Sequence, residues 1–323
     1  MDKHKMIAID KDDESSSSPI PLYAMQLATS SVLPMALKAT VELAVLDILE
    51  REGPVAFPSH IASKVPVRNN PVAHDVLDKM LSLLASHSIL GVSSGKDGLD
   101  AVLEGGVPFE RAHGMNAVSY LRKDARFSEI FKNSMKEYNK LFMSKIFDAY
   151  KGFEGLSSLV DVGGGDGSIL SKIVSKYPHI KAINFDLASI IEKSPSYSGI
   201  EYIAGDMFES IPKGDAIFIK WVLHMFDDEH CIKILKNCYN ALPCDGKVMA
   251  VNLVIPEVPE ANLAAGSLFQ IYVFMRSMNP MGKERTEKEF ETLAKEAGFC
   301  SIRVAYSAHN FSLVELYKNA KSC

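Results

Sequence analysis

Leu159-Val160-Asp161-Val162-Gly163-Gly164-Gly165-Asp166-Gly167 is the stretch whose reading decides the fold. A short apolar run of buried-strand character ends in a glycine-rich loop, and Ser168-Ile169-Leu170 then begins a helical pattern. Glycines let the chain turn sharply and let a ligand lie against the backbone, at a helix N-terminus whose N–H groups point outward. The dinucleotide pattern G-x-G-x-x-G, started at Gly163, meets Ser168 where its last glycine belongs. The loop therefore indicates a nucleotide-type ligand and leaves its identity open, a nicotinamide cofactor included.

Downstream of the loop, short apolar runs alternate with helical patterns. Strands are expected at 159–162, 182–185, 201–204, 216–219, 247–254, 301–306 and 311–317. This alternation predicts a doubly wound α/β fold with a parallel sheet, the last two runs forming an antiparallel hairpin at its edge. Asp186 closes the second strand about 20 residues after the loop, where a carboxylate can accept ribose hydroxyls. Asp206 follows the third strand, and Lys220 and Trp221 end the fourth. Ligands of open α/β sheets bind at these carboxyl ends. Either aspartate alone could be a helix N-cap, but two at successive strand ends favour a ligand site.

Upstream, Gly152-Phe153-Glu154-Gly155 forms a turn-rich linker, and the chain before it is helical in pattern. Apolar residues recur at helical spacing from Leu22 to about Leu49, with Pro34 expected to kink or divide that helix. A second block spans 71–90 with Val72, Val76, Leu77, Met80, Leu83 and Leu84 on one face, and further helix is expected across 115–151. The Ser-rich, charged first twenty residues read as a disordered leader. Three segments result: a leader at 1–20, a helical domain at 21–151 and a ligand-binding domain at 152–323.

Composition narrows the partners. The net charge is −5 with no basic stripe, which argues against nucleic acid and anionic membrane surfaces. No apolar stretch has the roughly 18–20 residues needed to span a bilayer, and the start carries no secretory core. The five cysteines form no C-x-x-C pair, which suits reduced thiols in a cytoplasmic protein.

Several motifs taken together resemble the plant small-molecule O-methyltransferases, in particular the caffeic acid O-methyltransferase branch. They are Leu159–Asn184, Phe185-Asp186-Leu187, Gly205-Asp206-Met207-Phe208, Lys220-Trp221-Val222-Leu223-His224 and Gly282-Lys283-Glu284-Arg285-Thr286, with Ala24-Met25-Gln26-Leu27-Ala28 and Tyr150–Gly155 upstream. The resemblance spans nearly the whole chain after residue 20. It implies S-adenosylmethionine (SAM) as methyl donor, held at Gly163, Asp186, Asp206, Met207 and Lys220. It implies His224 as catalytic base and an aromatic small-molecule acceptor against Phe131, Met135, Ile271, Met275 and Asn279. It further implies a homodimer built through a winged-helix-like N-terminal domain, and no metal. A phenol with pKa near 10 is a poor nucleophile at neutral pH, and a neutral imidazole can take its proton.

Three departures stand out. The family's histidine is commonly followed by Asp and an aromatic residue, whereas Met225 and Phe226 follow His224. The family brackets it with two glutamates; Glu284 matches one, and Asn252 stands at the other. An amide can orient an imidazole but supplies no charge, so the base is weakened. Finally, the segment between Val92 and Leu103 is about 35–40 residues shorter than usual in the family, which removes part of a wing and of the pocket wall and leaves the helical domain shortened near 93–102. These departures keep two further readings open: N-methylation of an aromatic amine such as anthranilate, which asks less of a base, and SAM binding without transfer. Asp227-Asp228-Glu229-His230 resembles a metal cluster but reads as the acidic first turn of a helix. Met275, Met278 and Met281 read as flexible thioether lining for a flat ring.

Overall fold

The computed structural model describes residues 29–52, 58–66, 70–86, 106–258, 262–279, 281–308 and 310–319. The leader, Ala24–Ala28 and the short segment at 93–102 lie outside them. Helices α1 (Val32–Glu42), α2 (Val45–Glu52), α3 (Pro58–Lys64), α4 (Ala73–Ser86), α5 (Pro108–His113), α6 (Ala117–Lys123) and α7 (Ala125–Ala149) precede the first strand. From there run β1 (Ser158–Val162), α8 (Ser168–Lys176), β2 (Lys181–Asp186), α9 (Ala188–Ile191), β3 (Ile200–Ala204), β4 (Ala216–Lys220) and α10 (Asp228–Ala241). They are followed by β5 (Lys247–Ile255), α11 (Leu263–Met278), β6 (Arg285–Thr286), α12 (Glu287–Ala297), β7 (Ser301–Ala308) and β8 (Phe311–Tyr317).

The strand order is β3-β2-β1-β4-β5-β8-β7, with the two-residue β6 paired to β5. Strands β1 to β5 are parallel, and β8 and β7 complete the edge antiparallel. The seven runs read from sequence appear within about two residues of their expected ends. The β5 residues alternate between two cores: Met249, Val251 and Leu253 face α7 and α11, whereas Val248 and Ala250 face α10 and α12. Chain order reverses between β1 and β4, which puts the crevice of the sheet at their carboxyl ends.

Two expectations are corrected. Among the described residues, which start at Thr29, Pro34 does not interrupt a helix. It lies in the first turn of α1, where its missing N–H is one of the groups that have no intrahelical partner anyway. The break falls instead at Leu43-Ala44, where Ala44 takes φ of +52°. Val72, placed on the apolar face of the second block, precedes α4 and is exposed, while Leu77, Leu83 and Leu84 are fully buried.

Helix α11 is buried on all sides from Ala265 to Tyr272, the mark of a helix enclosed by other elements. It packs against α1, α4 and α5 on one side and β5 on the other. Glu315 on β8 makes a second junction. It is wholly buried and accepts hydrogen bonds from Tyr150 (2.5 Å), at the end of α7, and from Tyr317 (2.6 Å), Lys247 (2.6 Å) and Arg303 (2.5 Å). Burial raises its pKa, but these donors outweigh burial and hold it down from 4.5 to about 2. Because the folded value is depressed, the contribution to stability is present above pH 4.5 and disappears as the pH falls towards 2. Replacing Glu315 by Leu leaves Lys247 and two phenols without their shared acceptor, so a loss of about 3–5 kcal/mol in urea unfolding at pH 7 is expected.

Candidate active site

The carboxyl ends of the strands form a continuous crest joined by backbone bonds. Gly163 N–H donates to Phe185 O (2.9 Å), Gly205 N–H to Asp186 O (3.0 Å) and Trp221 N–H to Val251 O (2.9 Å). Gly163, Gly165 and Gly167 take φ of +69°, +60° and +77°, a region open to glycine at no steric cost. A Cβ on Gly164 would lie 2.1 Å from Asn184 Oδ1 and 2.8 Å from the Asp161 carboxylate, so the loop rests directly on those buried groups.

Asp186 is built into this crest. Its Oδ2 accepts from Gly165 N–H (2.9 Å) and its Oδ1 from Leu187 N–H (2.7 Å). Each carboxylate oxygen keeps a second lone pair for a ligand hydroxyl. Asp206 lies two residues past β3, its Oδ1 accepting from Phe208 N–H (2.8 Å), and Met207 packs partly buried against the lower core. Beneath the loop, burial pushes the Asp161 carboxyl up to about 7 against the pull of Lys220, and pushes the Lys220 ammonium down to about 8 against the pull of Asp161. Asn184 Nδ2 holds Gly165 O (3.0 Å), while its Oδ1 has no partner among the described residues. A turn without a Cβ from Gly163 to Gly165, flanked by carboxylates with spare lone pairs and a buried amide oxygen with no partner among the described residues, fits SAM.

Beyond Lys220 the chain enters a tight turn. Trp221 takes φ of +56°, a strained value for a bulky residue, and its ring lies parallel to the His224 imidazole (5.3 Å between centroids, 7°). Phe142 from α7 and Phe311 from β8 pack edge-on against that indole. His224 sits in the 3₁₀ turn Leu223–Met225, and its Nδ1 lies 2.9 Å from Glu284 Oε1, both side chains buried. An ionised carboxylate only accepts, so Nδ1 carries the proton and Nε2 is left with its lone pair. Asn252 lies on β5 between Val251, which takes the Trp221 N–H, and Val254, which pairs with Arg285. It is fully buried, and neither atom of its amide has a partner among the described residues.

The residues expected to line the acceptor pocket come from α7, from α11 and from the end of α11. Ile271 is buried in the core, Met275 packs against that core, Met135 is half-buried and Phe131 is exposed at 38%. Asn279 caps the end of α11 and spends both amide atoms on backbone, Nδ2 on Met225 O (2.9 Å) and Oδ1 on Met281 N–H (3.1 Å). A cavity of about 460 Å³ opens on the other face of α11, among Met35, Met80, Phe109, Phe127, Phe274 and Met278. Asp227 caps α10 by accepting His230 N–H (3.0 Å), as a helix start requires, and among the described residues no cluster of three or more His, Cys, Asp or Glu is placed to hold a metal. The stacking of Trp221 on His224 and the burial of Arg285 were not anticipated from the sequence. The adjacency of Trp221 to His224 and the Arg285 next to Glu284 were the available clues.

Comparison with known proteins agrees with this geometry. Residues 96–300 match the O-methyltransferase domain and residues 25–104 the O-methyltransferase dimerisation domain. A caffeic acid 3-O-methyltransferase of Rosa chinensis is 46% identical over 344 aligned positions, covering 92% of this chain and 94% of its own. A flavone 3'-O-methyltransferase of Chrysosplenium americanum is 44% identical, with 92% and 98% covered. The fold is shared with an O-methyltransferase family 2 protein from Planctomyces limnophilus solved with apigenin (TM-score 0.67, 16% identity, 92% and 96% covered). Human N-acetylserotonin methyltransferase solved with SAM shares it as well (TM-score 0.57, 18% identity, 97% and 100% covered). The chain belongs to the plant O-methyltransferase family with an N-terminal dimerisation domain. It is a SAM-dependent enzyme and a homodimer.

Gly164→Ala tests the loop. Overpacking against Asn184 and Asp161 costs about 1–3 kcal/mol, so calorimetry should show SAM affinity falling about tenfold or more.

Proposed function

We propose that the enzyme methylates a hydroxyl of a phenolic acceptor of the phenylpropanoid or flavonoid type, with His224 as general base. The observation that carries this reading is the buried His224–Glu284 pair at 2.9 Å, which leaves Nε2 as the proton acceptor. SAM, when bound, supplies an electrophilic methyl group on a sulfonium centre. We assign its binding to Gly163, Asp186, Asp206, Met207 and Lys220. The chain's own work is positioning and proton removal: His224 Nε2 takes the hydroxyl proton, and Glu284 stabilises the resulting imidazolium. Trp221 stacks on the same ring and restricts its tilt.

The caffeic acid and flavone methyltransferases named above support the acceptor class. We assign Ile271 and Met275 on α11, and Phe131 and Met135 on α7, to the acceptor side. We further propose the division of the chain at residues 151/152 and a cytosolic location. The four described cysteines Cys231, Cys238, Cys244 and Cys300 are free thiols, and no described helix is long and apolar enough to cross a membrane.

Asn252 favours a second reading. A buried amide in place of a carboxylate supplies no charge to an imidazolium, and an aromatic amine already offers its lone pair to the methyl group. Assays with labelled SAM against catechols, simple phenols and anthranilate separate the two. On phenols, His224→Ala should lower kcat by about 10²–10⁴ while leaving SAM affinity unchanged. Undiminished turnover in that variant would sink the base assignment. Met225→Asp combined with Asn252→Glu should raise turnover on catechols, and an unchanged rate would count against a base limited by its missing carboxylate.

A further inference from the structure

The turn that carries His224 is held by one short segment. Arg285, 1% exposed, donates from Nη1 to Leu223 O (2.9 Å) and from Nη2 to Phe226 O (2.8 Å). Lys283 N–H donates to His224 O (2.9 Å), and Asn279 Nδ2 to Met225 O (2.9 Å). Every backbone carbonyl from Leu223 to Phe226 is thus taken by residues 279–285, and Glu284 of the same segment holds the imidazole. The segment is itself fixed to the sheet, because Arg285 pairs with Val254 through β6. Asp228 Oδ1 orients the guanidinium from Nε (2.8 Å) and Nη2 (2.7 Å).

We propose that Arg285 and Asn279 are positioning residues for His224, gripping its turn so that Nε2 is aimed at the acceptor hydroxyl. The inference rests on the assignment of His224 as base. It gives Asn279 a part beyond the acceptor contact implied by the family resemblance: its amide bonds backbone through Nδ2 and Oδ1, with a second N–H and a second lone pair still open. The guanidinium is suited to the part: its planar fork reaches carbonyls on both sides of the turn at once, which a lysine ammonium cannot reproduce.

The test uses the full-length enzyme with Arg285→Met, Arg285→Lys, Asn279→Ala and His224→Ala. Each is assayed on catechol and on a nitro-substituted catechol whose hydroxyl is already ionised at neutral pH. A misaimed base matters for the first acceptor and little for the second. Arg285→Met and Asn279→Ala should lower kcat on catechol by about tenfold or more, with SAM affinity unchanged and a loss under about threefold on the nitrocatechol. Arg285→Lys should recover only part of the loss. Equal losses on both acceptors would overturn the positioning role. So would a fall in SAM-binding stoichiometry with normal kcat per competent site, the mark of a purely structural residue. Asn279, at the partly exposed end of α11, keeps the test open where Arg285→Met fails to fold. His224→Ala separates the two levels: full activity there removes the base assignment and the clamp with it, whereas a catechol-selective loss there alongside equal losses in the clamp variants removes the clamp alone.

Discussion

A carboxylate without access to solvent joins the two halves of this chain. Glu315 lies on the antiparallel strand β8, and a charge so buried is tolerated where donors surround it. Its donors come from different places: Tyr150 from the end of the long helix α7, Lys247 from the start of β5, Arg303 from β7 and Tyr317 from its own strand. The interaction therefore fixes where the helical half meets the sheet. Phe142, one helical stretch before Tyr150, is consequently held against Phe311 and Trp221, and Trp221 against His224.

The site inherits its geometry from that frame in two ways. On the donor side, the crest at the carboxyl ends of β1, β2 and β3 is joined by backbone bonds, so the glycine loop and Asp186 do not move independently. On the side proposed for the acceptor, the frame reaches His224 through the Trp221 ring and through Asn279, Lys283, Glu284 and Arg285. Trp221 adopts a strained backbone at this junction, and the ring contacts with Phe142, Phe311 and His224 hold it there.

The sheet was legible in the sequence because its strands are short, largely apolar runs, most of them ended by glycine or a charge, a pattern set by local chemistry. The glycine loop and its two aspartates were legible for the same reason. Pro34 misled because a proline's effect depends on where the helix begins, and that is set by packing outside the local pattern. Val72 misled because periodicity carries no information about the residue just before a helix. Arg285 was invisible as a hub: in sequence it is one more charge in a run of charges, and its burial arises from a pairing with Val254 and from carbonyls about 60 residues away. Asn279 shows the same limit, since its sequence position points to the acceptor and its hydrogen bonds point to the turn.

Asn252 is the place where stability and chemistry part company. A buried amide with neither atom paired among the described residues is costly to the folded chain, by about 1–3 kcal/mol for each lost partner. On the proposed assignment of His224 as base, a carboxylate in place of this amide would add a counter-charge for the imidazolium, and the amide supplies none. Among the described residues Glu284 is the carboxylate that meets the imidazole, with its Oε1 on Nδ1 and its Oε2 unpaired. In the mechanism proposed above, where Glu284 is the counter-charge to the imidazolium, the aim of Nε2 becomes a large lever on the rate. A clamp that closes on every carbonyl of the turn acts on that lever.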